Sequence, residues 1–191
     1  MYNLLMYVLI VMFSIVLSGG GILITSSIFV QEIIVMIEKI IPKPANNNYL
    51  GSPIAFYGMI LFVLLMTFSA YMHFLQPQYA ANDIANIIVF ESVPDPNHII
   101  YMAFSLWGLQ QVSFVILNVI ILFSYRNLIP LMYTLWIFTW LMRPLVVSQL
   151  YPLTSEYTSG ITPGKTGLPF ILSYLLVMLI MSLRQSKDKA L

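Results

Sequence analysis

The sequence feature that most constrains this chain is the spacing of its charged side chains. No Asp, Glu, Lys or Arg occurs in residues 1–31, 44–82, 96–125 or 166–183. A helix that crosses the hydrocarbon core of a bilayer needs about 20 predominantly apolar residues, with a range of about 17–25. The spacing therefore predicts an all-α protein, a polytopic transmembrane helix bundle.

The composition excludes several classes of protein. Of the 191 residues, 60% are hydrophobic and 8% are charged, whereas soluble domains are about 45–50% apolar and about 25% charged. The formal net charge of +1 is too small to attract nucleic acid, so we expect no nucleic-acid partner. The absence of cysteine excludes disulfides, thiolate metal sites, iron–sulfur clusters and covalent c-type haem.

We predict a single transmembrane domain, residues 1–191, with about five helices. Helix-breaking residues separate the apolar runs, and Gln76-Pro77 ends the second of them. A tight turn at Arg126-Asn127 makes helices three and four an antiparallel hairpin, since Pro130 suits a first helical turn. The predicted spans lie near residues 4–29, 53–75, 99–124, 128–147 and 166–183.

The first region admits several interpretations because three glycines, at residues 19–21, interrupt it. They could allow close packing of another helix within one span, divide two short spans, or mark a signal-peptide cleavage site that lacks the usual basic residues before it. Residues 31–41 then show amphipathic spacing. They are predicted either to lie along the membrane surface or to form the last, solvated turns of helix one.

Orientation follows from the distribution of Lys and Arg, because short cytoplasmic loops retain positive charge. With five spans, Lys165 is the only Lys or Arg in the loops of one face of the membrane, and Arg143 lies at a helix end. The sequence therefore predicts a multi-pass protein of a bacterial inner (cytoplasmic) membrane with its C-terminus in the cytoplasm. The residues predicted to share the cytoplasmic face are Lys39, Lys43, Arg126, Arg184, Lys187 and Lys189.

Arg143 is the one strong case of a charged side chain within a predicted span. Such a residue costs about 2.5–3.5 kcal/mol on insertion scales and is a functional candidate by default. Pro144 follows it, so the helix end is near and the long stem could reach water as a membrane anchor. The alternative is that Arg143 binds a carboxylate, from Glu91, Asp95 or an anionic ligand.

Other polar and aromatic side chains accompany Arg143 on the predicted spans. Gln110 and Gln111 lie on helix three, and Asn118 returns to the face of Gln111 after seven residues. These amides serve either as interhelical hydrogen-bonding groups or as the inner part of a polar pocket. Trp136 and Trp140 form an aromatic ridge, suited to helix packing or to holding a quinone, carotenoid or lipid tail. The candidate binding residues are Arg143, His73, Gln110, Gln111, Asn118 and Trp140.

The two histidines, His73 and His98, lie at the ends of helices two and three that face the exterior. A helical hairpin could bring both imidazoles to a metal ion or haem iron. A third ligand is missing from the pattern, so we expect ordinary interfacial histidines, with no metal and no cofactor.

From Ile99 onward the chain resembles small, uncharacterised bacterial multi-pass membrane proteins of a loosely DoxX-like kind. The resemblance rests on YRNLIPLMY at residues 125–133, on Arg143 and on TPG at residues 162–164. It implies a compact bundle of four or five helices. The N-terminal third departs from this pattern.

The functional expectation is an integral membrane protein without catalytic residues, since the spans carry no carboxylate pair and no nucleophile–base arrangement. We expect a non-catalytic accessory or scaffold subunit, or a lipid-binding protein, whose partners are the bilayer and other membrane subunits or further copies of itself. The alternative is a small-molecule transporter or membrane enzyme with an exterior-facing polar pocket around Arg143.

Overall fold

The structure, a computed structural model, describes residues 23–184. Every regular element in this range is helical, and its one extended pairing is an isolated antiparallel bridge between Ile87 and Thr158. The predicted all-α fold class is confirmed. The longer helices of the described range are α1 (Leu23–Ile40), α2 (Pro53–Leu75), α3 (Asn97–Ser124), α4 (Ile129–Met142) and α5 (Leu168–Leu183).

Helix α1 includes the residues with amphipathic spacing. It continues unbroken from Leu23 to Ile40, and its polar side chains Glu32, Glu38 and Lys39 are exposed. Residues 31–40 are therefore the second half of a longer helix. The glycines at 19–21 and most of the predicted first span lie outside the described residues. Residues from Pro44 onward belong to a second compact unit.

Within residues 23–184, three helical stretches are long and apolar enough to cross a membrane: Pro53–Leu75, Asn97–Ser124 and Arg126–Leu150. The last of these is longer than the sequence predicted, because α4 continues through a π-helical turn, Arg143–Val147, to Leu150. Helix α5 has 16 residues, about 24 Å at 1.5 Å per residue. It is shorter than a hydrocarbon core of about 30 Å.

The core of the second unit forms where α2, α4, α5 and the second half of α3 meet. Two tyrosine hydroxyls donate between helices: Tyr133 to the Ala55 carbonyl at 2.8 Å and Tyr174 to the Gly58 carbonyl at 2.8 Å. The Trp136 ring packs edge-on against Phe62 on α2. The buried core residues include Met59, Phe62, Met66, Ile121, Met132, Tyr133, Trp136 and Leu175.

One end of this unit, here named the turn end, is formed by the α3–α4 connection. Tyr125 and a short 3-10 turn, Arg126–Leu128, join the two helices. The Asn127 side chain donates to the Pro44 carbonyl at 3.0 Å and accepts from the Asn46 amide at 2.9 Å. The predicted tight turn is thus present, and a preceding loop holds it. Along its length, however, α3 packs more closely against α2 than against α4.

The opposite end, here named the capped end, carries the α2–α3 and α4–α5 connections. After α2 the chain forms a second π-helical turn, Ala80–Ile84. The two connections then dock onto each other: the Ile88 amide donates to the Tyr157 carbonyl at 3.1 Å, and the Ser159 amide donates to the Asn86 carbonyl at 2.9 Å. These contacts join two loops into one cap over the ends of the helices.

Candidate functional site

Arg143 lies inside the helical stretch that continues α4, and not at its end. It is the first residue of the π-helical turn, and Leu150 ends the stretch seven residues later, a rise of about 10 Å. Pro144 explains the irregular turn, because proline has no N–H to donate to the carbonyl of Trp140 four residues earlier. Arg143 itself is half-buried.

Two indole rings hold the guanidinium of Arg143. Its Cζ atom lies 4.1 Å from the ring centroid of Trp140, on the preceding turn of α4, and 5.2 Å from that of Trp107 on α3. A cation over an aromatic face is attracted by the ring quadrupole, by up to about 2 kcal/mol when the pair is desolvated. The two rings therefore stabilise the positive charge of Arg143, but neither ring carries a negative charge that would balance it.

His73 extends this cluster onto α2. Its ring centroid lies 4.2 Å from that of Trp107, edge to face, and 5.8 Å from that of Phe104, stacked. The Nδ1 atom of His73 lies 2.7 Å from the Ser69 carbonyl oxygen. A carbonyl can only accept, so Nδ1 carries a proton and donates it.

Gln111 and Trp140 each bury a donor that has no partner within residues 23–184. The Ser69 hydroxyl donates to Gln111 Oε1 at 2.9 Å, which leaves the amide nitrogen Nε2 free. The Nε2 atom of Gln111 and the Nε1 atom of Trp140 are buried without a hydrogen-bond partner among the described residues. The two residues are 8% and 5% exposed. An unsatisfied buried donor costs about 1–3 kcal/mol, so this region favours an acceptor.

The helix register places the two residues that carry these donors at about the same level. Helices α3 and α4 run antiparallel, and they touch where Phe114 packs on Trp136 and where Trp107 packs on Arg143. On α3, Gln111 lies between Trp107 and Phe114. On α4, Trp140 lies between Trp136 and Arg143. The backbones of Gln111 and Trp140 therefore lie about one helical turn further from the capped end than those of Trp107 and Arg143, while the guanidinium reaches back over the Trp140 ring.

Gly108 sets how closely α3 approaches α2 at this site. A Cβ atom at position 108 would lie 2.2 Å from the Phe74 backbone nitrogen and 2.5 Å from the His73 carbonyl carbon. The Ser105 hydroxyl also donates to the Phe74 carbonyl at 2.9 Å. Without a side chain at 108 the helices come close enough for His73 to lie against Trp107 and for Ser69 to reach Gln111.

No carboxylate pairs with Arg143 in the part of the chain that the structure describes. The nearest approach of a basic nitrogen to a carboxylate there joins His98 Nε2 and Asp95 at 3.8 Å. Asp95 also accepts from the Asn97 side chain at 2.6 Å, and Glu91 has no ion-pair partner among residues 23–184. Neither acidic residue proposed from the sequence thus serves as the counter-ion of Arg143.

The structure brings together four of the six candidate residues: Arg143, Trp140, His73 and Gln111. Gln110 faces outward and is exposed. Asn118 is buried deeper in the core, where it donates to the Phe114 carbonyl at 2.7 Å and accepts from Trp136 Nε1 at 3.4 Å. His98 is exposed, and residues 23–184 contain no group of three or more metal-ligating side chains.

Sequence reasoning missed Trp107 and Phe104. Trp107 lies four residues before Gln111, a spacing that places both on one helical face, and this was the available signal. Phe104 gave none, because a single phenyl ring on an apolar helix is ordinary. In comparisons with known proteins, no family model, curated protein or solved structure matches the chain.

Proposed function

We propose that this chain is a non-catalytic, multi-pass membrane protein that binds an anionic lipid through Arg143. Three apolar helical stretches long enough to cross a membrane support the membrane assignment. Large apolar side chains such as Leu61, Leu106 and Phe138 are also exposed on the outsides of these helices, where lipid would cover them. Association with other membrane subunits or with further copies of the chain stays a prediction.

The observation that carries the lipid proposal is the unpaired guanidinium of Arg143 between two indoles. A charge in an apolar setting requires a partner, and the described residues supply aromatic faces instead of a carboxylate. A phosphate fits the fork of N–H donors on a guanidinium and binds it with two hydrogen bonds. In a bilayer, the headgroups of anionic lipids supply phosphates at the membrane interface, and the long stem of an arginine about 10 Å from the end of its helical stretch extends toward them.

A lipid-dependent stability measurement tests this proposal. We expect phosphatidylglycerol to raise the thermal unfolding midpoint of the purified protein in a mild neutral detergent more than phosphatidylcholine does. Arg143→Gln should abolish that difference. Arg126→Gln is the matched control, because Arg126 also lies over an aromatic ring, that of Phe56 at 5.1 Å, but at the turn end. Equal responses of wild type to both lipids would disprove the proposal.

A small-molecule pocket is the second candidate, and the polar groups on α2 and α3 favour it. From His73, hydrogen bonds run through Ser69 to Gln111, and such a line of polar groups suits a soluble substrate as well as a lipid. This candidate predicts that small water-soluble organic anions raise the unfolding midpoint in the absence of added lipid. It fails if only lipids do so.

The proposed orientation places the capped end outside a bacterial cytoplasmic membrane and the turn end in the cytoplasm. Because the chain contains no cysteine, single cysteines can report on it cleanly. Glu91→Cys, at the capped end, should react with a membrane-impermeant maleimide in intact cells. Asn47→Cys, at the turn end, should react only after permeabilisation. The reverse pattern would invert the topology.

A further inference from the structure

The two buried donors suggest which part of a lipid the site recognises in addition to its phosphate. We infer that Gln111 Nε2 and Trp140 Nε1 donate to the ester carbonyl oxygens of a glycerophospholipid whose phosphate binds Arg143. This inference rests on the proposed function and names the chemistry of its ligand. Both nitrogens lack a partner among the described residues, and ester carbonyls offer acceptors that carry no N–H or O–H of their own.

The order of the groups along the helices matches the order of groups in a lipid. Gln111 follows Trp107 by four residues, and Trp140 precedes Arg143 by three. The backbones that carry the two free donors therefore lie about one turn, roughly 4.5–6 Å, deeper than the backbones of Trp107 and Arg143. In a glycerophospholipid the ester carbonyls likewise lie deeper than the phosphate, separated from it by the glycerol unit.

Access to the donors involves the side chain of Arg143. The guanidinium lies 4.1 Å above the Trp140 ring, so the long arginine side chain covers this indole. A phosphate that binds the guanidinium and draws it toward the capped end would uncover Trp140 Nε1, one of the two donors. The Ser69 hydroxyl bond to Gln111 Oε1 meanwhile holds the amide with its nitrogen free to donate.

Lipids that differ only in the carbonyl groups provide the test. Binding of ester-linked and ether-linked phosphatidylglycerol to the full chain is titrated in detergent and read out by native mass spectrometry. We expect the ester lipid to bind about three- to ten-fold more tightly, as one net hydrogen bond predicts. Gln111→Met and Trp140→Phe should each reduce that preference while the preference for anionic over zwitterionic lipid persists.

The controls separate this inference from the proposed function. Gln110→Met removes an exposed amide on the same helix, and Trp136→Phe removes an indole N–H that already has a partner in Asn118. Both should keep the ester preference. Equal affinity of wild type for ester and ether lipids would overturn the inference and leave anionic lipid binding intact. Loss of all anionic preference would refute the proposed function as well.

A soluble probe distinguishes a lipid from a free phosphate. Glycerol 3-phosphate carries the phosphate but neither ester carbonyls nor acyl chains. We expect it to bind far more weakly than phosphatidylglycerol, and binding of comparable strength would overturn the assignment to a lipid. Where Gln111→Met does not fold, the ester and ether comparison in wild type and in Trp140→Phe decides the question.

Discussion

The guanidinium of Arg143 lies 5.2 Å from the ring centroid of Trp107, a residue of a different helix. This contact joins α3 to the π-helical turn that continues α4, and the Trp107 ring also meets His73 on α2 at 4.2 Å. One indole therefore contacts a residue from each of the other two long apolar stretches. Replacement of Trp107 should therefore change both the stability of the protein and ligand binding at Arg143.

Trp107→Leu should lower the free energy of unfolding by about 1–2 kcal/mol, because it removes a partly desolvated cation–π contact. Trp107→Phe, which keeps an aromatic face, should cost less. Thermal unfolding in detergent measures both effects. Phe123→Leu is the control, since Phe123 is an outward-facing aromatic of the same helix and is 72% exposed. An equal effect of Phe123→Leu would contradict the contact.

Gly108→Ala should destabilise the bundle by about 1–3 kcal/mol or more, because the added methyl group overlaps the α2 backbone and forces the helices apart. The backbone atoms of His73 and Phe74 cannot rotate away as a flexible side chain would. Gly164→Ala is the matched control, with nothing within 4 Å of the new Cβ. Similar unfolding midpoints for the two variants would show that α2 and α3 are not this close.

Asn127→Ala should lower stability by about 1–3 kcal/mol, since it removes the hydrogen bonds to Pro44 and Asn46 at about 0.5–1.5 kcal/mol each. Asn47→Ala, at an exposed position in the same loop, should have little effect. The measurement is the unfolding midpoint of each variant in the same detergent. A wild-type midpoint for Asn127→Ala would mean that the loop does not hold the turn.

The docking of the two loops at the capped end can be tested by cross-linking. Ile87 and Thr158 face each other in an antiparallel bridge, and such pairs have Cα separations of about 4.5–5.5 Å, within the range of a disulfide. Ile87→Cys with Thr158→Cys should therefore form a disulfide under mild oxidation. A non-reducing gel after cleavage between the loops detects it. The pair Val93→Cys with Thr158→Cys should not cross-link if this pairing is correct.

Tyr49 should make stability depend on alkaline pH. Burial raises the pKa of its phenol above the ordinary value of 10.0, so the folded chain holds this proton more tightly than the unfolded chain does. The contribution of the Tyr49 phenol to the free energy of unfolding is fully present below pH 10. It is lost as the pH rises above 10, where the unfolded chain releases the proton. In Tyr49→Phe the unfolding midpoint should fall less steeply above pH 10. A slope identical to wild type would contradict this prediction.

Much of the fold could be predicted because the spacing of charged residues is a local property of the sequence and delimits the apolar helices. The predicted bounds 53–75 match α2, and 99–124 falls within α3. The end of α4 was less predictable, since Pro144 suggested a nearby stop but the helix adapts through a π-helical turn and continues to Leu150. A local signal cannot show how the surrounding structure compensates for a missing N–H group.

The candidate site also combines features that could be predicted from the sequence with features that depend on the tertiary structure. The sequence by itself determined that the apolar runs form helices and that Arg143 is a charge among them, because hydropathy and helix length depend on neighbouring residues alone. Only the tertiary structure decided which groups meet that charge. The interhelical register, set by the close approach at Gly108, brings Trp107, His73 and Gln111 to one place while Gln110 faces outward. This register depends on side-chain packing between residues far apart in the chain, which periodicity within one helix does not encode.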